Sequence, residues 1–98
     1  MPYYALTYIT VENFVERRIP FREQHLLLAQ QYHDDHMLLA GGSMQPAIES
    51  LLIFYCENEE VIKTFMRQDP YVQQGLVKAW YIREWNIAIG DKFIKKEK

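Results

Sequence analysis

Met37-Leu38-Leu39-Ala40-Gly41-Gly42 and Glu49-Ser50-Leu51-Leu52-Ile53-Phe54-Tyr55-Cys56-Glu57 are two apolar runs with too little chain between them for a helix. The first reads as a short strand stopped by a glycine turn. Pro46 keeps the connection irregular, and the second run has the Leu, Ile, Phe and Tyr content of a strand. Each side of this pair carries helical spacing. Upstream, Phe21, Leu27, Leu28 and Tyr32 predict an amphipathic helix over roughly 20–35, opened by Pro20 and closed by His33-Asp34-Asp35-His36. Downstream, Asn58 is a candidate N-cap for a helix with the apolar stripe Val61, Ile62, Phe65 and Met66. That helix should end by Gln68 or Asp69, because the residue before Pro70 is biased away from the α region. One more turn over Tyr71 to Gln74 should stop at Gly75. Outermost lie two further strand regions, Tyr3 to Thr10 and Leu76 to Ile89. In the last one Trp80, Ile82 and Glu84 share one face, and Tyr81, Arg83 and Trp85 the other.

The order β-α-β-β-α-β predicts an α+β fold of the ferredoxin-like kind, with an antiparallel sheet and its helices on one face. The strands are apolar on both faces. Leaving the second face in water costs roughly 25 cal/mol per Å² of apolar area. A twofold partner sheet is the economical cover, so the sequence predicts a homodimer with sheets face to face.

Length and composition narrow the class. The chain has 98 residues, read as one domain over 1–98 with a charged tail over about 91–98. Hydrophobic residues make up 49%, enough for a core, which argues against disorder. The net charge of −2 lacks the basic excess of a nucleic-acid binder. The single cysteine, Cys56, excludes an internal disulfide and any multi-cysteine metal pattern, and it fits a cytoplasmic home. No apolar stretch approaches the ~20 residues of a membrane span, and Met1-Pro2-Tyr3-Tyr4 does not open a signal peptide.

Three clusters carry possible chemistry. Arg22 and His25 stand at i and i+3 of the first helix, with Arg18 placed to continue that face. A neutral imidazole near pH 7 is a usable general base; the bland alternative is a surface histidine. Asp69-Pro70-Tyr71 ends the second helix. Its aspartate either caps the following turn or orients His25 as the third group of a triad does, and Tyr71 adds a phenol to the same cleft. His33-Asp34-Asp35-His36 has the residue types of a metal site, but one patch supplies too few ligands and the His-Glu-x-x-His spacing is absent, so a solvated helix end is the expectation. No nucleotide-binding glycine motif and no Gly-x-Ser-x-Gly elbow occur, and no cofactor is expected.

Taken together, Glu16-Arg17-Arg18, Arg22-x-x-His25-Leu26, Leu39-Ala40-Gly41-Gly42, Asp69-Pro70-Tyr71 with Gly75-Leu76, and Ile82-Arg83-Glu84-Trp85 resemble the YciI-like proteins of the dimeric α+β barrel superfamily, in order and at the family's spacing. The resemblance implies a ferredoxin-like fold, a dimer and a His/Asp-centred active site. It implies that His25 and Asp69 are catalytic and that Arg22 and Tyr71 bind substrate. Ser43 follows the glycines where the family often has proline or another small residue, and is a further substrate-binding candidate. Met44 to Ser50 is shorter than in many relatives. Related barrels include lactone isomerases, dehydrochlorinases and cofactor-free monooxygenases.

These features point to proton transfer on a small polar cyclic or aromatic molecule, in isomerisation, lactone chemistry or elimination. The competing reading is a non-catalytic dimer that binds a small ligand or acts as an accessory protein.

Overall fold

Strict alternation of buried and half-buried residues marks β1 (Tyr3–Thr10), whose Tyr4, Leu6, Tyr8 and Thr10 all point to one side. The computed structural model describes residues 1–90, so the charged tail expected over about 91–98 lies outside the described residues. Along the chain follow α1 (Phe14–Arg17), a 3-10 turn (Ile19–Phe21), α2 (Arg22–Asp34), β2 (Leu38–Ser43), β3 (Glu49–Tyr55), α3 (Glu59–Gln68), α4 (Pro70–Gln73) and β4 (Val77–Trp85). The strands form one sheet in the order β2-β3-β1-β4, and every neighbouring pair is antiparallel. This is the α+β, ferredoxin-like arrangement that the strand order predicted.

One face of the sheet carries the core. Leu6, Tyr8, Leu52 and Phe54 meet Ile62, Phe65 and Met66 of α3, with Leu28 and Tyr32 of α2 packed against them. Edge-to-face contacts among Tyr32, Phe54 and Phe65 fix how α2 and α3 sit on the sheet. The opposite face has no helix among the described residues, and Tyr81 and Trp85 of β4 are exposed there.

Local chemistry sets the helix ends. Asn58 accepts a hydrogen bond from the Glu60 amide and caps α3, as its sequence position predicted. Gly75, at φ +73°, stops α4, with the Leu76 amide reaching back to the Tyr71 carbonyl. His36 plays the same part after α2. It takes a left-handed φ of 65° while the Met37 amide bonds the Tyr32 carbonyl.

Several local expectations need correction. Gly41-Gly42 is not a turn: β2 runs through both glycines to Ser43, and the chain reverses after it. A Cβ on Gly41 would lie 3.2 Å from Leu52 Cγ, so glycine permits a close approach within the strand rather than a bend. The first long helix begins at Arg22 instead of about residue 20, because Pro20 sits in a 3-10 turn. Leu27 faces outward, and the core side of α2 is Leu28, Ala29 and Tyr32. The last strand ends at Trp85, short of Ile89. The polar stretch after β1 contains the short helix α1, whose Phe14 is buried.

Candidate functional site

α2 runs beside β2, the edge strand, and leaves a groove of about 540 Å³ between them. Arg22, His25, Leu26, Ala29, Gln30 and His33 line one wall, a single stripe of α2 at i, i+3 and i+4 spacing. Leu38 to Ser43 line the other wall, with Tyr8, Ser50, Leu52 and Tyr71 also contributing.

His25 and Asp69, 44 positions apart in sequence, meet here at 2.8 Å between Nδ1 and Oδ1. A carboxylate only accepts, so Nδ1 carries the proton, and Nε2 of the neutral ring keeps its lone pair. Asp69 is fully buried at the junction of α3 and α4. Its Oδ1 also accepts from the Tyr71 amide at 3.0 Å, and its Oδ2 accepts from Tyr8 Oη at 2.8 Å. One side chain therefore both caps α4 and hydrogen-bonds His25. Its donors satisfy a carboxylate that would be costly to bury alone.

Tyr71 stacks on His25, with ring centroids 3.8 Å apart and planes 11° from parallel. Phe14 meets the other side of Tyr71 edge to face, at 5.3 Å. The Tyr71 hydroxyl is buried and makes no hydrogen bond of ordinary geometry, although Arg22 lies close enough to act on it. Burial pushes its phenol up, while the charges of Arg18 and Arg22 pull it back down. Arg18 stacks over the Phe14 ring and donates to Ser43 Oγ at 3.0 Å. Ser43 thus reaches the groove through β2, and Arg18 reaches it from the turn before α2 rather than as a continuation of that helix.

The His33 to His36 run does not form a metal cluster. Among the described residues no three His, Cys, Asp or Glu side chains converge as ligands. His33 Nδ1 bonds the Leu38 carbonyl, and His36 terminates α2.

A family model described as the YCII-related domain matches residues 1–86. The chain belongs to that family. A Haemophilus influenzae protein, named only "Uncharacterized protein", is 33% identical over 85 residues, covering 76% of this chain and 86% of its own length. The solved structure of 5-chloro-2-hydroxyhydroquinone dehydrochlorinase (TftG) from Burkholderia phenoliruptrix, in complex with 2,5-dihydroxybenzoquinone, superposes with a TM-score of 0.74. It is 18% identical and covers 86% of this chain and 93% of that one, so the two share a fold.

In this YCII-related chain the sequence candidates His25, Asp69, Arg22, Tyr71 and Ser43 converge on one groove, with Asp69 beneath it behind His25. Sequence reasoning missed two supports. Tyr8 holds the second oxygen of Asp69, and the alternation Tyr4, Leu6, Tyr8 was its available signal, since a tyrosine on a buried face needs a partner for its hydroxyl. Phe14 backs both Tyr71 and Arg18, and nothing in its polar neighbourhood announced it. Among the described residues, no helix is long and apolar enough to cross a membrane.

Proposed function

We propose that this protein is a cytoplasmic, homodimeric, cofactor-free enzyme that moves a proton on a small polar cyclic or aromatic substrate. The observation that carries the reading is the 2.8 Å bond between His25 and Asp69, which leaves the free imidazole nitrogen on a groove-lining residue. His25 Nε2 takes a proton from an acidic carbon or hydroxyl of the substrate. The electron pair released passes into an enolate or phenolate oxygen, which Arg22 stabilises by charge, with the groove-lining Tyr71 beside it. The pair then either collects a proton from His25 at a second position, an isomerisation, or expels a leaving group, an elimination. Asp69 holds the imidazole in one tautomer and offsets the charge it gains. Ser43 helps to fix Arg18 at the mouth of this end.

The dehydrochlorinase with the same fold acts on a chlorinated hydroquinone, so halogenated and hydroxylated quinols are the first substrates to try. Loss of the base should lower turnover by about 10²–10⁴-fold. Turnover of such compounds by wild type, abolished in His25→Ala with the dimer intact, supports the reading. Full activity in His25→Ala ends it. Saturable binding without turnover in wild type gives the groove a non-catalytic, ligand-holding role instead.

A further inference from the structure

His33 lies eight residues beyond His25 on α2 and lines the same groove. At a rise of about 1.5 Å per residue, the two Cα atoms are about 12 Å apart along the helix. His33 Nδ1 stands 2.8 Å from the Leu38 carbonyl oxygen. A carbonyl only accepts, so the proton is on Nδ1, and Nε2 of the neutral ring is left as an acceptor. No protein partner for that nitrogen occurs among the described residues, and His33 is exposed, so the nitrogen is open to solvent or to a ligand. Between the two imidazoles the groove is lined by Leu26 and Ala29 on the helix and Leu52 below, with Gln30 and Ser50 as its polar members. Gly41 lies close over Leu52 on the β2 wall, where a Cβ would come within 3.2 Å of Leu52 Cγ. A volume of about 540 Å³ is also well inside the range of roughly 300–1,000 Å³ found for ligand pockets, so the groove has room beyond a single ring seated at its His25 end.

We propose that His33 is a second recognition point, and that the groove takes an elongated aromatic acid with polar groups at both ends. The anionic oxygen sits by Arg22 and Tyr71, the rings cross the section floored by Leu26, Ala29 and Leu52, and a terminal hydroxyl donates to His33 Nε2. This rests on the reading of the groove as a substrate site and extends it by naming the substrate's shape. A purely structural His33 needs only its Nδ1 bond to β2, so the two roles separate at Nε2.

The test uses two probes, 4′-hydroxybiphenyl-4-carboxylate and biphenyl-4-carboxylate, titrated calorimetrically into wild type and His33→Asn. Asparagine retains a donor for the Leu38 carbonyl but has no acceptor where Nε2 stood. Wild type should prefer the hydroxylated probe by about 3- to 10-fold, the worth of one hydrogen bond. That preference should vanish in His33→Asn. In wild type alone, the ¹⁵N resonance of His33 Nε2 should move with the hydroxylated probe and not with the other, which needs no variant to fold. Equal affinities in wild type, an unchanged preference in His33→Asn, or binding of neither probe overturns the inference. Proton-transfer chemistry is judged separately, by turnover in His25→Ala.

Discussion

Tyr8 Oη donates a 2.8 Å hydrogen bond to Asp69 Oδ2 across 61 positions of sequence, joining the central strand β1 to the α3–α4 corner. The other oxygen of the same carboxylate holds His25. Both ends of Asp69 are thus fixed from different elements, and the imidazole inherits the rigidity of the sheet. The imidazole is held in place without any ligand.

Tyr8→Phe tests that relationship. It removes one hydroxyl from a buried pair and leaves Oδ2 without its donor. Unfolding by urea should show a loss of about 1–3 kcal/mol, the cost of an unsatisfied buried acceptor. Because Tyr8 acts through Asp69, kcat should fall by roughly ten- to a hundredfold, with KM much less affected. Unchanged stability and unchanged kcat would mean that the bond holds nothing.

Asp69 holds the Tyr71 amide and the His25 ring on one oxygen, and two substitutions separate the two contacts. Asp69→Asn retains an acceptor for the Tyr71 amide, but its side chain no longer demands a proton on His25 Nδ1. Long-range ¹H–¹⁵N spectra should report the Nδ1–H tautomer in wild type and a mixture in the variant. Asp69→Ala also loses the α4 cap, and should cost about 0.5–2 kcal/mol for the cap with a further penalty for the stranded Tyr8 hydroxyl. A single Nδ1–H tautomer persisting in Asp69→Asn would show that the carboxylate does not set the ring.

Most of the architecture was legible because its signals are local. Period-two alternation in β1, the Asn58 cap and the Pro70 and Gly75 stops each act within a few residues and survive packing. The pair His25 and Asp69 was legible as a candidate from residue type and family resemblance, but their contact is a tertiary fact. What misled was glycine. Gly41-Gly42 carries the same residues as a turn, yet the structure uses the missing side chain for clearance against Leu52, and only the register of β2 on β3 reveals that. Leu27 misled in a similar way: its spacing fits the apolar stripe, while α2 turns Leu28 inward instead. Phe14 was hidden because a helix of one turn has no periodicity to read.

Alkaline pH should destabilise the fold. Burial pushes the Cys56 thiol up from 9.0 to about 11, and burial together with the Asp69 charge pushes the Tyr8 phenol well above its ordinary 10.0. Below about pH 9 both folded and unfolded chains keep these protons, so the stability is fully present. Between about pH 9 and 11 the unfolded chain releases them and the folded one does not, so stability falls as pH rises. Urea midpoints should therefore drop from neutral pH to about pH 10.5, and Cys56→Ala should flatten the early part of that slope. A midpoint independent of pH across this window would show that neither group is held protonated by the fold.

The open face of the sheet calls for a partner. Register places Tyr3, Ala5, Thr7 and Ile9 of β1 beside Tyr55, Ile53 and Leu51 of β3 and Trp85, Arg83, Tyr81 and Ala79 of β4, all on the side away from the helices. Tyr81 and Trp85 are 50% and 41% exposed there. An apolar aromatic surface of this extent is costly in water, and a second copy of the same sheet is a self-complementary cover. Wild type should sediment as a dimer at micromolar concentration. Tyr81→Glu puts a charge onto this face of the edge strand β4, where a face-to-face dimer would have to desolvate it, and should shift the protein to monomer with its circular dichroism little changed. The groove between α2 and β2 lies on the helix side, so ligand affinity in that monomer should survive if the site is complete within one chain. Purely monomeric wild type at micromolar concentration would remove the face-to-face dimer.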